Sequence, residues 1–319
     1  MSSTLRYTEY AIHHAARTLL SGGLVAFPTE TVYGLGADAQ NENAISRIYS
    51  VKGRPKEHPL IIHVSSINNL DRWARNIPEY ALRLAISFWP GPMTLILPRT
   101  ELAKDFITGR QNYVGVRVPD QKFALSLLAE FESKGGLGVA APSANLFGKV
   151  SPTSAKDVEE ELSQYLGEKD LILDGGMCQV GLESTIIDCS LKVPKILRPG
   201  AITKIMIEEI IGFELLSNQI DTGIKASGLL KSHYSPKAEI CLTGNPGKGD
   251  GLIALSDIKT PKGVIRLASP NNMTQYARYL YHSLRLADQK QIKRVFAIPP
   301  KGDGLAIAIY DRLIKASSK

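Results

Sequence analysis

"LILDGGMCQVGLESTIIDCSLKVPKILR" (residues 171–198) decides the fold class. Three short runs, "LILDGG" (171–176), "STIIDC" (184–189) and "KILR" (195–198), read as strands punctuated by Gly, Ser and Pro. They predict hairpin-like strand pairs here instead of a helix after every strand. With strands and helices interleaving irregularly elsewhere, a mixed α/β sheet fits better than a strict βαβ series.

Upstream, "TEYAIHHAARTLLSGG" (8–23) has helical spacing in Ile12, Ala15, Ala16, Leu19 and Leu20, and two glycines end it. "NENAISRIYSVKG" (41–53) predicts a helix capped by Asn41. "KFALSLLAEF" (122–131), "SAKDVEEELSQYLG" (154–167) and a short segment near 203–211 predict three more helices. "LVAF" (24–27), "PLIIHV" (59–64), "MTLIL" (93–97), "VGVRV" (114–118) and "GVAA" (138–141) read as strands. Residues 1–213 form the first domain on this reading. Residues 214–237 lack a sustained period and read as a linker. Residues 238–319 predict a small second α/β unit, with strands at 238–243, 252–255, 263–267 and 292–298 and helices at 273–287 and 303–316.

A chain of 319 residues suits two domains, which typically run roughly 100–200 residues each. No apolar run approaches the roughly 18 residues that span a bilayer. The N-terminus shows no charged-then-apolar leader, so a soluble, cytoplasmic protein without membrane association is expected. Cys178, Cys189 and Cys241 form no C-x-x-C pair, which argues against a zinc site or a disulfide framework. The net charge of +7 is uneven: residues 229–319 hold 15 Lys and Arg against 6 Asp and Glu, and residues 1–228 hold 23 against 25. A basic C-terminal quarter suits a polyanionic partner or an ordinary lysine-rich surface.

The usual phosphate-binding and nucleophile motifs are missing: no G-x-x-x-x-G-K-[ST], no G-x-S-x-G and no paired-histidine metal motif. "GLGADA" (34–39) matches a dinucleotide fingerprint by letter, but it does not join a strand directly to a helix. Other stretches carry more. In "AFPTETVYGLGADA" (26–39), Thr29, Thr31 and Tyr33 offer hydroxyls to a small polar ligand, and Gly34 and Gly36 allow backbone closed to other residues. In "VKGRPKEHPLIIHV" (51–64), Arg54 supplies a planar fork for phosphate and Lys52 a point charge, on a loop stiffened by Pro55 and Pro59. His63 follows in the strand. Arg117 is a cation in an apolar strand and demands an anionic partner. Ser143 and Asn145 lie just past a strand, where α/β folds bind ligands. Ser151 precedes a helix capped by Thr153 or Ser154, whose free N–H groups suit an anion. Ser184 and Arg198 continue the theme. Cations and hydroxyls at strand ends, without an activated nucleophile, fit an anionic substrate and catalysis by positioning and charge stabilisation.

These stretches together resemble a known family. "PTETVYGLG", "KGRP…PLIIH", "WPGPMTL", "VRVP", "APSAN", "SPT", "DGG", "ESTI", "LRPG" and "SHYSP" are similar to the threonylcarbamoyl-AMP synthases, the YrdC-like enzymes, in their two-domain form. The resemblance implies a YrdC-like twisted mixed sheet with a large concave basic cavity, plus a smaller, Rossmann-like C-terminal domain. It implies a nucleotidyltransferase that joins L-threonine, bicarbonate and ATP into L-threonylcarbamoyladenylate and releases pyrophosphate, opening tRNA N6-threonylcarbamoyladenosine formation. Lys52 and Arg54 would be catalytic. Thr31, His63, Arg117 and Ser184 would hold threonine. Arg54, His58, Tyr113, Ala141, Ser143, Asn145, Ser151, Arg198 and Tyr234 would line the nucleotide, with Tyr234 closing as part of a lid.

No metal site in the protein is implied, and magnesium would arrive with ATP. His58 departs from the asparagine common in the family, and Tyr113 stands at a variable position. The implied partners are the tRNA threonylcarbamoyl-transferase machinery downstream and, through the basic domain, tRNA itself. Two other classes compete. A non-catalytic RNA-binding protein predicts strongly salt-dependent affinity but leaves Arg117, His63 and Ser184 in apolar strands unexplained. A carbamoyltransferase of the hydrogenase-maturation type would carry cysteine-rich zinc motifs, which three scattered cysteines do not supply.

Overall fold

The computed structural model describes residues 3–217, 223–228 and 234–318. The expected linker, 214–237, therefore falls partly outside the described residues. The large sheet contains, in chain order, β1 (Ser3–Arg6), β2 (Val25–Phe27), β3 (Gly34–Asp38), β4 (Ile61–His63), β5 (Met93–Pro98), β6 (Tyr113–Arg117), β7 (Val139–Ala141), β8 (Leu171–Asp174), β9 (Thr185–Asp188) and β10 (Lys195–Arg198). In space they run β1-β8-β2-β3-β7-β4-β6-β5-β9-β10. Parallel pairs such as β4 with β6 and β5 with β9 alternate with antiparallel pairs such as β4 with β7 and β5 with β6.

The sheet is mixed, as the run 171–198 implied, but only half of that run forms a hairpin. β9 and β10 pair antiparallel, whereas β8 lies parallel between β1 and β2 on the far side of the sheet. The loop 175–184, carrying Gly175 and Gly176, crosses between these places instead of turning back on itself.

Helices cover the sheet in two layers. Glu9–Leu20 and Lys122–Ser133 pack Ala15, Leu19, Phe123 and Leu127 over Val25, Phe27 and Val139. Glu42–Lys52 and Glu79–Phe88 contribute Ile45, Ile48, Ala81 and Leu84 to a second cluster with Leu35, Ile62 and Leu95. Asn41 caps the first of these by accepting from the Ala44 amide at 3.0 Å, and Gly53 ends it in the left-handed region at φ 59°. That left-handed exit turns the chain straight into the Arg54 loop.

The C-terminal domain has four parallel strands, β11 (Glu239–Cys241), β12 (Gly251–Ile253), β13 (Ile265–Ala268) and β14 (Arg294–Ala297), ordered β11-β14-β12-β13. Helices Met273–Gln289 and Leu305–Ser317 pack against it. Its core does not stop at the domain boundary: Val32, Val150 and Leu182 of the first domain and Tyr234 join the same cluster as Tyr281, Leu284 and Ile309. Among the described residues no helix is long and apolar enough to cross a membrane.

Candidate active site

Side chains alternate across a strand, so residues two apart share a face. Ile61 and His63 of β4, Thr94 and Ile96 of β5, and Gly115 and Arg117 of β6 therefore share one face, because Ile61 pairs with Gly115, His63 with Arg117 and Ile96 with Gly115. Ile186 of β9 pairs with Thr94, and Ser184 precedes it by two residues. Arg198 joins through an irregularity: β10 carries a bulge, so that Arg198, and not Leu197, lies opposite Ile186. This face floors a cavity lined by Thr29, Thr31, Arg54, His63, Arg117, Ala141, Ser143, Glu183, Ser184, Arg198, Ser227 and Tyr234.

Two groups of side chains stand out within it. In the first, Arg117 is 4% exposed and meets the Glu30 carboxylate at 2.7 Å, the partner its burial demands. Its Nη1 donates to Thr31 Oγ1 at 2.9 Å and its Nε to the Gly91 carbonyl at 3.3 Å. A guanidinium has five N–H donors, so the fork still has donors for a ligand carboxylate. His63 lies beside it, with Nδ1 3.2 Å from the Ile61 carbonyl. Burial, reinforced by the Arg117 charge, pushes its pKa down to about 3, so the imidazole is neutral near pH 7.

The second group is Arg54 and Arg198. Arg54 Nη2 donates to the Pro59 carbonyl and to Ser227 Oγ, both at 3.0 Å. Arg198 donates from Nε and Nη2 to the Ser184 carbonyl, and from Nη1 to the Ser227 carbonyl at 2.9 Å. The two guanidinium groups thus converge on one linker residue. Ser184 Oγ, 2.8 Å from Thr94 Oγ1 and 3.1 Å from Arg198 Nη2, sits between the groups.

Residues 17–200 match a family model shared by Sua5, YciO and YrdC, described as telomere recombination, and residues 202–318 match one described as threonylcarbamoyl-AMP synthase, C-terminal domain. The chain belongs to the threonylcarbamoyl-AMP synthase family. A threonylcarbamoyl-AMP synthase of Pyrococcus abyssi is 41% identical, the match covering 98% of this chain and 95% of that one. Another, from Bacillus subtilis, is 37% identical over 99% and 96%. The solved structure of P. abyssi Sua5 complexed with L-threonine superposes with a TM-score of 0.88 at 38% identity, covering 99% of this chain and 97% of that one.

Of the residues the family resemblance selects, the cavity gathers Thr31, Arg54, His63, Arg117, Ala141, Ser143, Ser184, Arg198 and Tyr234. Others stand behind it. Lys52 is 2% exposed, and its Nζ donates to the Ser143 carbonyl at 2.6 Å and also to the Asn145 carbonyl, so its ammonium ties down the serine–asparagine loop from below. Burial and the neighbouring Arg54 charge pull its pKa well down. Asn145 turns its amide to the Leu146 and Lys149 carbonyls. His58 presents its ring edge-on to Phe147 at 5.3 Å, and its carbonyl accepts from Arg54 Nε. Tyr113 packs with Ile224 and Ala226 of the linker.

Three expectations change. Tyr33 turns away from the cavity: its hydroxyl donates to the Gly176 carbonyl at 2.8 Å and accepts from Gly175 N. Gly36 lies in regular strand, and what it spares is space, since a Cβ there would come within 2.7 Å of Val139 and 2.9 Å of Phe27. The helix after Ser151 offers no open N-terminus. Ser154 accepts from Asp157 N while Asp157 Oδ2 takes the Thr153 and Ser154 amides, a closed capping box. Ser151 itself donates to Glu183 at 2.6 Å. Glu30, Thr94, Glu183 and Ser227 belong to the site without having been singled out in the sequence. For Glu30 the signal was there, as a carboxylate between two threonines in a chain whose buried Arg117 needed one.

Proposed function

We propose that this protein is an L-threonylcarbamoyladenylate synthase, joining ATP, L-threonine and bicarbonate with release of pyrophosphate and water, in the first step of tRNA N6-threonylcarbamoyladenosine formation. The observation that carries the reading is the convergence, in one cavity, of a polar pocket around Arg117 with a cationic pair, Arg54 and Arg198. Arg117, steadied by Glu30 and Thr31, receives the threonine carboxylate. Neutral His63 and the Thr31 hydroxyl suit the amine and hydroxyl end, where a charged imidazole would repel an ammonium.

Once its ammonium has lost a proton to solvent, the threonine amine takes up the carbon of bicarbonate with loss of water, giving a carbamate. A carbamate oxygen then attacks the α-phosphorus of ATP, and pyrophosphate leaves with its bonding electron pair. The nucleophile belongs to the substrate, so the protein's part is alignment and charge neutralisation. Arg54 and Arg198 present planar donors to the phosphates, alongside a magnesium ion carried by ATP. Lys52 acts through the loop it holds, fixing Ser143 at the cavity wall. Tyr234 closes the site from the linker side, and the adenylate passes on to the tRNA threonylcarbamoyl-transferase machinery in the cytoplasm.

The test is direct: purified protein with ATP, magnesium, bicarbonate and L-threonine, followed by pyrophosphate release and mass detection of the adenylate. Release that requires both threonine and bicarbonate is expected. Release independent of threonine would refute the reaction, and salt-dependent RNA binding without any release would favour the RNA-binding class.

A further inference from the structure

Glu183 is where the C-terminal domain touches the cavity. It lines the cavity at 6% exposure, next to Ser184 and Arg198. Its Oε1 accepts from Ser151 Oγ at 2.6 Å; its Oε2 accepts from Tyr281 OH and from Arg312 Nε, each at 2.9 Å. Tyr281 and Arg312 sit on the two helices of the C-terminal domain, and both are wholly buried. The guanidinium of Arg312 lies 5.4 Å over the ring of Tyr234, which in turn stacks on Tyr281 at 5.4 Å.

A fully buried guanidinium is costly unless paired. Asp311 accepts from Arg312 Nη1 at 2.6 Å, but Asp311 is shared with Lys315. Among the described residues the remaining carboxylate partner is Glu183, across the domain boundary. A carboxylate exposed to a cavity that takes up a polyphosphate would oppose binding, unless something cancels its charge.

We propose that Arg312, with Tyr281, is a positioning residue of the active site: it neutralises and orients Glu183 so that ATP meets Arg54 and Arg198 without an uncompensated carboxylate beside them. This deepens the reaction proposed above and rests on ATP being the anion bound here. It gives the C-terminal domain an electrostatic task that its net positive charge alone does not describe.

Among the described residues, the groups facing Glu183 are Ser151, Arg198, Tyr234, Tyr281 and Arg312, with Asp311 and Lys315 behind Arg312. Burial pushes the Glu183 carboxyl up, and Arg312, Arg198 and the Ser151 hydrogen bond more than reverse this, holding it at about 2. Without Arg312, burial dominates and the pKa rises. Glu183 then binds a proton at low pH and, as pH increases, becomes an anion that competes with ATP for the charge of Arg198, so ATP affinity relative to wild type should fall with rising pH.

The experiment measures binding of Mg·ATP to the full chain by calorimetry, with steady-state KM values for ATP and threonine, at about pH 6 and about pH 8.5. Arg312→Met should weaken ATP binding about tenfold or more at the higher pH, about 1.4 kcal/mol, with a smaller loss at the lower pH and little change in the KM for threonine. Arg312→Lys should recover part of the loss. The double variant Glu183→Gln with Arg312→Met removes both charges and should recover ATP affinity. It keeps the test usable should the single variant fail to fold, because deleting both members of a buried pair is far less damaging than deleting one. Wild-type ATP affinity in Arg312→Met, equal losses for ATP and threonine, or a double variant no better than the single would each overturn the proposal. Wild-type protein that binds ATP but gives no threonine-dependent pyrophosphate would instead refute the reaction, and the ATP affinities of the variants would still decide the role of Arg312.

Discussion

His63→Gln should remove a pH-dependent cost built into the sheet. The imidazole is 5% exposed, faces the edge of Phe27 at 5.8 Å and pairs in register with Arg117. Burial first, and Arg117 second, lower its pKa to about 3, against about 6.5 in the unfolded chain. The unfolded chain therefore binds more protons below about pH 6.5, so the stability His63 allows is present above that value and is lost as pH falls toward about 3. At 1.36 kcal/mol per pH unit, falling from about pH 7.5 to about pH 5 costs about 2 kcal/mol through this one group. Glu183 adds nothing in that window: with its pKa lowered to about 2, its contribution is lost only as pH falls below the ordinary carboxylate range. Urea unfolding of wild type and His63→Gln at both pH values checks the difference. The variant should lose about 2 kcal/mol less than wild type across the interval. Equal losses in the two proteins would refute the reasoning, because they would mean that His63 binds its proton as readily folded as unfolded.

Lys52→Met should abolish or severely depress pyrophosphate release and also lower stability by about 2–4 kcal/mol, because two loop carbonyls lose a charged donor while the ammonium's burial cost disappears; an unchanged urea midpoint would show that the ammonium does not hold the loop. Arg117→Met strands Glu30 and should cost about 3–5 kcal/mol of stability. In whatever folds, the KM for threonine should rise far more than that for ATP, and equal rises would count against the carboxylate role. Gly200→Ala should reduce kcat/KM for both substrates, since its Cβ would lie 2.5 Å from Thr185 N and 2.9 Å from the carbonyl carbon of Ser184. Steady-state kinetics at wild-type values would show that the "ESTI" segment tolerates displacement.

The elements with strong periodicity stood clear in the sequence. The helix over 122–131 and the strands over 93–97 and 114–118 match the structure to within a residue or two. β3 did not, because "GLGAD" looks like loop chemistry. Its glycines serve close packing against Phe27 and Val139, which only the neighbouring strands explain. The helix Glu79–Phe88 went unread in the sequence although Tyr80, Ala81, Leu84 and Ala85 share one face.

For the site, residue type identified Arg117, His63 and Arg54 as chemistry-bearing, yet sequence distance hid what they face. Glu30 is 87 positions from Arg117, by subtraction of their numbers, and Glu183 is 129 from Arg312. The bulge that sets Arg198 opposite Ile186 leaves no local mark in "KILR".

Because the cavity floor is one face of alternating strands, its chemistry depends on parity. A slip of β4 by one residue would send His63 into the apolar layer behind the sheet and bring Ile62 forward; the same slip in β6 would exchange Arg117 for Val116. A molecule misthreaded in this way would be compact and inert, with a cation driven into hydrocarbon. Burying Arg117 without Glu30 would be costly, so these two side chains penalise a misaligned register. Specific activity per mole of folded protein becomes a count of correctly aligned chains, a quantity that secondary-structure spectra cannot see.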